Sequence, residues 1–189
     1  MKHCKCQFGL GFTGWALIQQ AANTGERAFG AIPFEPGLYC LRVHEVGEKE
    51  PEAIIAAYRQ SPQYRAFQQL ARVSNQFFEE CGFGANWGWE YYAKGPDAEL
   101  AKLRRLVVNA RGQLDCPILY IGRSNLLNRR AQELMYWAHP FNHSLWALLY
   151  SKWSIELAFR LVADPKEAEQ QVKNAYRDEH GSLPPFMAR

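Results

Sequence analysis

Four side chains have the types that phosphodiester cleavage needs. The reaction requires a group that takes a proton from the nucleophile, a cation on the phosphoryl oxygens and usually a divalent metal ion on a carboxylate. Tyr39 and Tyr120 could take the proton where nearby positive charge lowers the phenol pKa from about 10. Arg130 could bind two phosphate oxygens at once, and Glu169 could hold one magnesium ion. Each residue also has an ordinary structural explanation, as a core aromatic, a surface arginine or a glutamate near a helix start.

Three short segments with the composition or alternation of strands would position these residues. The predicted strands are 37–44, 116–124 and 153–162. Apolar residues at helical spacing predict two helices within 51–82 and three more after the second strand. Those three are 126–137, 144–151 and 166–178, with Gly181 closing the last one and Ser124 or Asn125 capping the first.

This order predicts an α+β fold with a small three-stranded, mostly antiparallel sheet flanked by helices. Residues 45–115 form a helical insertion between strands one and two of a domain that spans 37–189. Residues 1–36, with a short helical stretch around Trp15–Ala22, are predicted to be an N-terminal extension.

Composition sets broad limits on the class of protein. The 189 residues are 48% hydrophobic, enough to build one core, and the net charge of +3 permits a polyanionic partner without requiring one. The five cysteines form an odd set and no apolar signal segment starts the chain, which favours the reducing cytoplasm. No apolar run is long enough to span a membrane, so we expect no membrane partner.

Taken together, these motifs resemble the GIY-YIG nuclease family. In that family two triplets lie on adjacent antiparallel strands, an arginine follows the second tyrosine by ten residues, and a glutamate lies on a later helix. The matching elements here are Gly37-Leu38-Tyr39, Tyr120-Ile121-Gly122, Arg130 and Glu169. The stretch YIGRSNLLNRRAQEL, the His143-Ser144 pair and the ending AEQQVKNAYRDEHGSLPP also resemble family members.

The resemblance implies a role for each catalytic candidate. Tyr39 would be the general base or its relay, Tyr120 its neighbour, and Arg130 the phosphate clamp. Glu169 would bind Mg²⁺ (or Mn²⁺), and His143 would assist near the scissile phosphate.

The implied activity is a metal-dependent endonuclease. Water would attack the phosphorus of a nucleic acid, expected to be DNA, in one step without a covalent enzyme intermediate. Gly122, Arg123 and Arg129 would contact the substrate. Trp87 and Trp89, in a glycine-rich loop, are candidates for base stacking.

Three departures from the family pattern leave alternatives open. About 80 residues separate Tyr39 from Tyr120, a much longer link than is usual in the family. Leu134 stands where the family often has His or Tyr, and Met187 where it has Asn. The chain could therefore be a catalytically impaired module that binds nucleic acid or another partner on the same fold. It could also be an unrelated α+β domain in which the triplets occur by chance.

Overall fold

A computed structural model describes residues 10–18, 32–66, 68–69, 103, 116–135 and 142–187. The strands are β1 (Thr13–Leu17), β2 (Gly37–Glu45), β3 (Ile118–Ser124) and β4 (Ser154–Leu161). The helices are α1 (Pro51–Arg59), α2 (Leu127–Met135), α3 (Asn142–Tyr150) and α4 (Pro165–His180). The described part of the chain is therefore α+β, as the sequence predicts.

One antiparallel sheet contains all four strands in the order β1-β4-β2-β3. The predicted antiparallel pairing is confirmed, but the predicted count of three strands is wrong. The extra strand, β1, pairs with the edge of β4, from Thr13 opposite Phe159 to Leu17 opposite Glu156.

The helix predicted around Trp15–Ala22 is also wrong over residues 15–17, which lie in β1. Pairing with a strand some 140 residues away overrides the local helical spacing, because strand formation depends on cross-strand partners more than on intrinsic preference. Residues 19–22 lie outside the described part of the chain. The segment predicted as an extension thus contributes a strand to the main sheet.

β2 is a central strand, and its side chains alternate between two apolar clusters. Tyr39, Leu41 and Val43 face one cluster, which includes residues of α1, α2 and α3. Leu38 and Cys40 face the other, which includes residues of α4. Apolar clusters therefore cover both faces of the sheet. The candidate catalytic residues lie near the strand ends and near the starts of α2 and α4.

Local signals explain the ends of α4. The Asp164 carboxylate accepts hydrogen bonds from the amides of Lys166 and Glu167 at 3.0 and 3.1 Å, which caps the helix start. Gly181 ends the helix with φ of 70°, the left-handed conformation that was predicted for it. The helix of the insertion that the structure describes, α1, begins at Pro51 and is followed by a helical turn over 62–66. The remainder of the insertion falls largely outside the described residues, and so do Trp87 and Trp89.

The segment after α4 covers the outer edge of β3. The Phe186 amide donates to the Leu119 carbonyl at 3.0 Å. The Ile121 amide donates to the Met187 sulfur at 3.4 Å. Backbone groups that an edge strand would leave open are thereby paired. Within the ranges described, the helices are all too short or too polar to cross a bilayer.

Candidate functional site

The two tyrosines lie side by side on neighbouring strands. Tyr39 of β2 is opposite Gly122 of β3, and Tyr120 is opposite Leu41, so both phenols project from the same face of the sheet. Their ring centroids are 5.6 Å apart with the planes inclined at 29°. The predicted adjacency of Tyr39 and Tyr120, called the tyrosine pair below, is confirmed.

Both triplet glycines are required by close packing. A Cβ atom at Gly122 would lie 2.5 Å from the Tyr39 hydroxyl oxygen and 2.5 Å from a ring carbon of Tyr120. A Cβ atom at Gly37 would lie 2.6 Å from a methyl carbon of Leu127 and 2.5 Å from the Arg160 carbonyl oxygen. Gly122 therefore makes room for the tyrosine pair, and Gly37 lets the start of α2 approach the sheet.

Burial keeps the tyrosine pair protonated. It raises the pKa of Tyr39 well above that of a free tyrosine, and it also raises the pKa of Tyr120. A hydrogen bond between the phenols raises the pKa of Tyr39 and lowers that of Tyr120. Arg130 lowers both pKa values and Glu169 raises both, but neither effect exceeds that of burial. The sequence predicted a lowered phenol pKa, but in the chain without metal or substrate both phenol pKa values are raised.

Arg130 lies in the first turn of α2, close enough for its charge to act on both phenols. One of its terminal nitrogens is 2.6 Å from the Glu133 carboxylate. Its Nε atom is buried, and none of the described residues supplies a hydrogen-bond partner for it. A buried donor without a partner is costly, so Arg130 can gain a bond from an incoming anion.

Glu169, in the second turn of α4, is held by two cations. The Arg123 Nε atom lies 3.1 Å from one carboxylate oxygen, and the Lys173 Nζ atom lies 2.8 Å from the other. Arg123 immediately follows Gly122 on β3, so this contact ties α4 to the strand that carries Tyr120. Lys173 is one helical turn beyond Glu169 and was missed by the sequence analysis, although its spacing of four residues is a recognisable helix pair.

Each of the carboxylates Glu133 and Glu169 is held by two cations. Arg129, 73% exposed, places its Nε atom 2.9 Å from the same Glu133 carboxylate that pairs with Arg130. Four cationic side chains therefore share two carboxylates, and within these two groups Arg130 and Glu169 act electrostatically on the phenols. These four form the cationic cluster: Arg123, Arg129, Arg130 and Lys173. Such a cluster suits a phosphodiester, which carries one negative charge on its two free oxygens.

The donor atoms present limit which metal could bind. Across the described ranges no group of three or more His, Cys, Asp or Glu side chains converges. Zinc prefers such a set, whereas magnesium and manganese can bind one carboxylate and complete their shell with water and phosphate oxygens. Glu169 fits the second case, provided that the metal displaces Lys173 or Arg123 from its carboxylate.

His143 lies in a different environment from the other predicted catalytic residues. It is buried in the first turn of α3, where its Nδ1 atom and the Tyr58 hydroxyl share a hydrogen bond of 2.5 Å and the Tyr64 ring meets its ring edge-on. Burial lowers the pKa of His143 to about 4. The structure therefore brings Arg130 and Glu169 close enough to act on the tyrosine pair, whereas the contacts described for His143 are with Tyr58 and Tyr64 of the insertion.

Leu134 and Met187, two of the three departures from the family pattern, have structural explanations. Leu134 is buried in the apolar cluster that also contains Tyr39. Met187 lies against the sheet edge, where its sulfur accepts the amide of Ile121, the middle residue of the second triplet. Leu134 thus packs in the apolar cluster next to Tyr39. The Met187 sulfur supports β3 as a hydrogen-bond acceptor, a role that the sequence did not predict.

Comparisons with known proteins do not place the chain. A scan against protein-family models found no match, and neither did searches of curated proteins and of solved structures.

Proposed function

We propose that the chain is a metal-dependent endonuclease of the GIY-YIG type that hydrolyses phosphodiester bonds in nucleic acid, with DNA as the expected substrate. The observation that carries the proposal is the arrangement of the tyrosine pair with Arg130 and Glu169, whose charges both act on the two phenols. The cytoplasm remains the proposed location, in keeping with the free thiols of Cys40 and Cys116.

The raised phenol pKa values favour a relay over a stable phenolate. A water molecule bound at Tyr39 would pass a proton to the Tyr39 oxygen as its own oxygen attacks phosphorus. The Tyr39 proton would move along the existing hydrogen bond to Tyr120, and Tyr120, the less buried phenol, would release its proton to solvent. The phosphorus–oxygen bond to the leaving nucleotide breaks in the same step, and that oxygen takes a proton from solvent.

The cationic cluster would hold the phosphate during this step. The Arg130 fork, with its buried and unpartnered Nε atom, would bind the non-bridging oxygens as negative charge moves onto them. Arg129 and Gly122 would contact the neighbouring backbone. When a phosphate draws Arg123 toward itself, the Glu169 carboxylate gains a free oxygen for the metal.

Glu169 would hold one Mg²⁺ or Mn²⁺ ion, which supplies further positive charge to the transition state. In this arrangement, substrate and metal assist each other in binding. The phosphate draws a cation away from Glu169 and the metal replaces a cation on Glu169, so each breaks ion pairs that would oppose the other.

Plasmid nicking in magnesium tests the proposal. Glu169→Gln and Arg130→Ala should each lower the nicking rate at least about 100-fold, the usual cost of removing one electrostatic contact to the transition state. Glu179→Gln and Arg177→Ala are matched controls, because both residues are exposed near the far end of α4. Undiminished nicking by both test variants would sink the assignment.

A second candidate function is a module that binds nucleic acid without cleaving it. It is favoured by the raised phenol pKa values and by the two cations that already occupy Glu169. This candidate predicts binding that weakens steeply with salt and no cleavage with any divalent metal.

A further inference from the structure

Large apolar side chains are exposed at one corner of the described structure. They are Phe34, 71% exposed, Leu161, 47% exposed, and Leu126, 42% exposed. All three lie around the start of α2, and we call them the apolar corner. Leu126 directly precedes the helix. Leu161 is opposite Gly37, which packs against Leu127 at the start of α2.

The segment that carries Phe34 is firmly anchored. Residues 32–36 accept four hydrogen bonds through their backbone carbonyls. The donors are the amides of Leu127 (3.1 Å), Asn128 (3.1 Å) and Val162 (3.3 Å) and the side chain of Asn128 (3.2 Å). Prolines 33 and 36 fix the backbone on both sides of Phe34. The aromatic ring is therefore presented to solvent by a backbone that needs little ordering on binding, which favours a recognition role.

The apolar corner adjoins the residues proposed to hold phosphate. The first amides of α2 bond to the Phe34 segment, and the same helix carries Arg129 and Arg130 in its first turn. An exposed aromatic ring whose backbone is bonded to the helix that carries two arginines suits a nucleotide, because the base can stack on the ring while the phosphate meets the cations of that helix. Three side chains are far fewer than the 20 to 30 residues per partner that a stable protein interface usually needs.

We propose that the apolar corner receives an unstacked base next to the scissile phosphate, so that the protein favours nucleic acid with unpaired bases at that point over continuous duplex. This inference rests on the proposed function for the position of the phosphate. Phe34 stacks on the base, and Leu126 and Leu161 supply its apolar surroundings.

Binding to two DNA probes of equal length tests the inference. One is a continuous duplex, and the other carries a short single-stranded flap with 2-aminopurine at the junction. Titrations in EDTA measure affinity and 2-aminopurine quenching without cleavage. Phe34→Ala should weaken flap binding about tenfold and abolish the quenching, while duplex binding changes less than about twofold. Phe34→Trp should keep both signals, since it retains a stacking surface.

The outcomes separate this inference from the proposed function. Equal loss on both probes, or no loss on either, would overturn the apolar corner as a base site even if plasmid nicking is intact. Phe34-dependent flap binding with no nicking in any metal would support the apolar corner as a base site and would contradict the proposed nuclease activity. A change in sedimentation of Phe34→Ala, with flap affinity unaltered, would show a protein contact and overturn the inference. Failure of the wild type to bind either probe would overturn both.

Discussion

Acidification should destabilise the chain through His143. Its pKa is about 4 in the folded chain and about 6.5 when unfolded, so the unfolded state takes up the proton first as the pH falls. The stability that depends on a neutral His143 is fully present above pH 6.5 and is lost between pH 6.5 and 4. The difference between these pKa values corresponds to about 3 kcal/mol, of which about 2 kcal/mol is lost by pH 5.

Urea unfolding of wild type and His143→Gln at pH 7 and pH 5 measures this effect. Glutamine offers an acceptor to Tyr58 but does not titrate, so the variant isolates the histidine from the carboxylates that also respond to acid. The stability advantage of the wild type should shrink by about 2 kcal/mol between the two pH values. An advantage that is constant from pH 7 to pH 5, or an imidazole NMR titration of His143 near pH 6.5, would refute the reasoning.

Two further predictions concern the tyrosine pair. Gly122→Ala should cost about 1–3 kcal/mol of stability and alter the near-ultraviolet circular dichroism of the tyrosines, because the new methyl group meets both rings. Wild-type spectra from the variant would contradict that steric argument. Tyr39→Phe removes the hydrogen bond between the phenols and should raise the pKa of Tyr120, as followed by NMR of ¹³C-labelled tyrosine. A lowered Tyr120 pKa would contradict the effect assigned to that bond.

The strands that sequence analysis placed correctly are apolar segments, and in β4 the apolar residues also alternate with more polar ones. In β4, Ile155 and Leu157 face the apolar cluster beneath α3, and this period of two is visible in the sequence alone. β1 has no such signal, because three of its five residues are exposed and Gly14 adopts a φ of 68°. Only its distant partner β4 makes residues 13–17 a strand.

In the candidate site, too, the local contacts could be predicted from the sequence and the distant contacts could not. The pairs Arg130–Glu133 and Glu169–Lys173 follow helix spacing and could have been predicted from α2 and α4 as they stand in the sequence. The Arg123–Glu169 pair joins a strand to a helix that follows some 40 residues later, and no local pattern indicates it. The raised phenol pKa values likewise depend on burial by several elements at once.

His143 illustrates what a sequence motif can and cannot transfer. The resemblance identified the residue, but its hydrogen-bond partner, Tyr58, belongs to the insertion, the part of the chain least like the family pattern. Tyr58 is fully buried in the same apolar cluster as Tyr39, so α1 is packed onto the core that supports the tyrosine pair. A buried hydroxyl that loses its acceptor costs about 1–3 kcal/mol. Exchange of His143 for an apolar residue would therefore loosen the insertion from the core, and any loss of nicking in such a variant has to be judged against its stability before His143 is assigned a part in the chemistry.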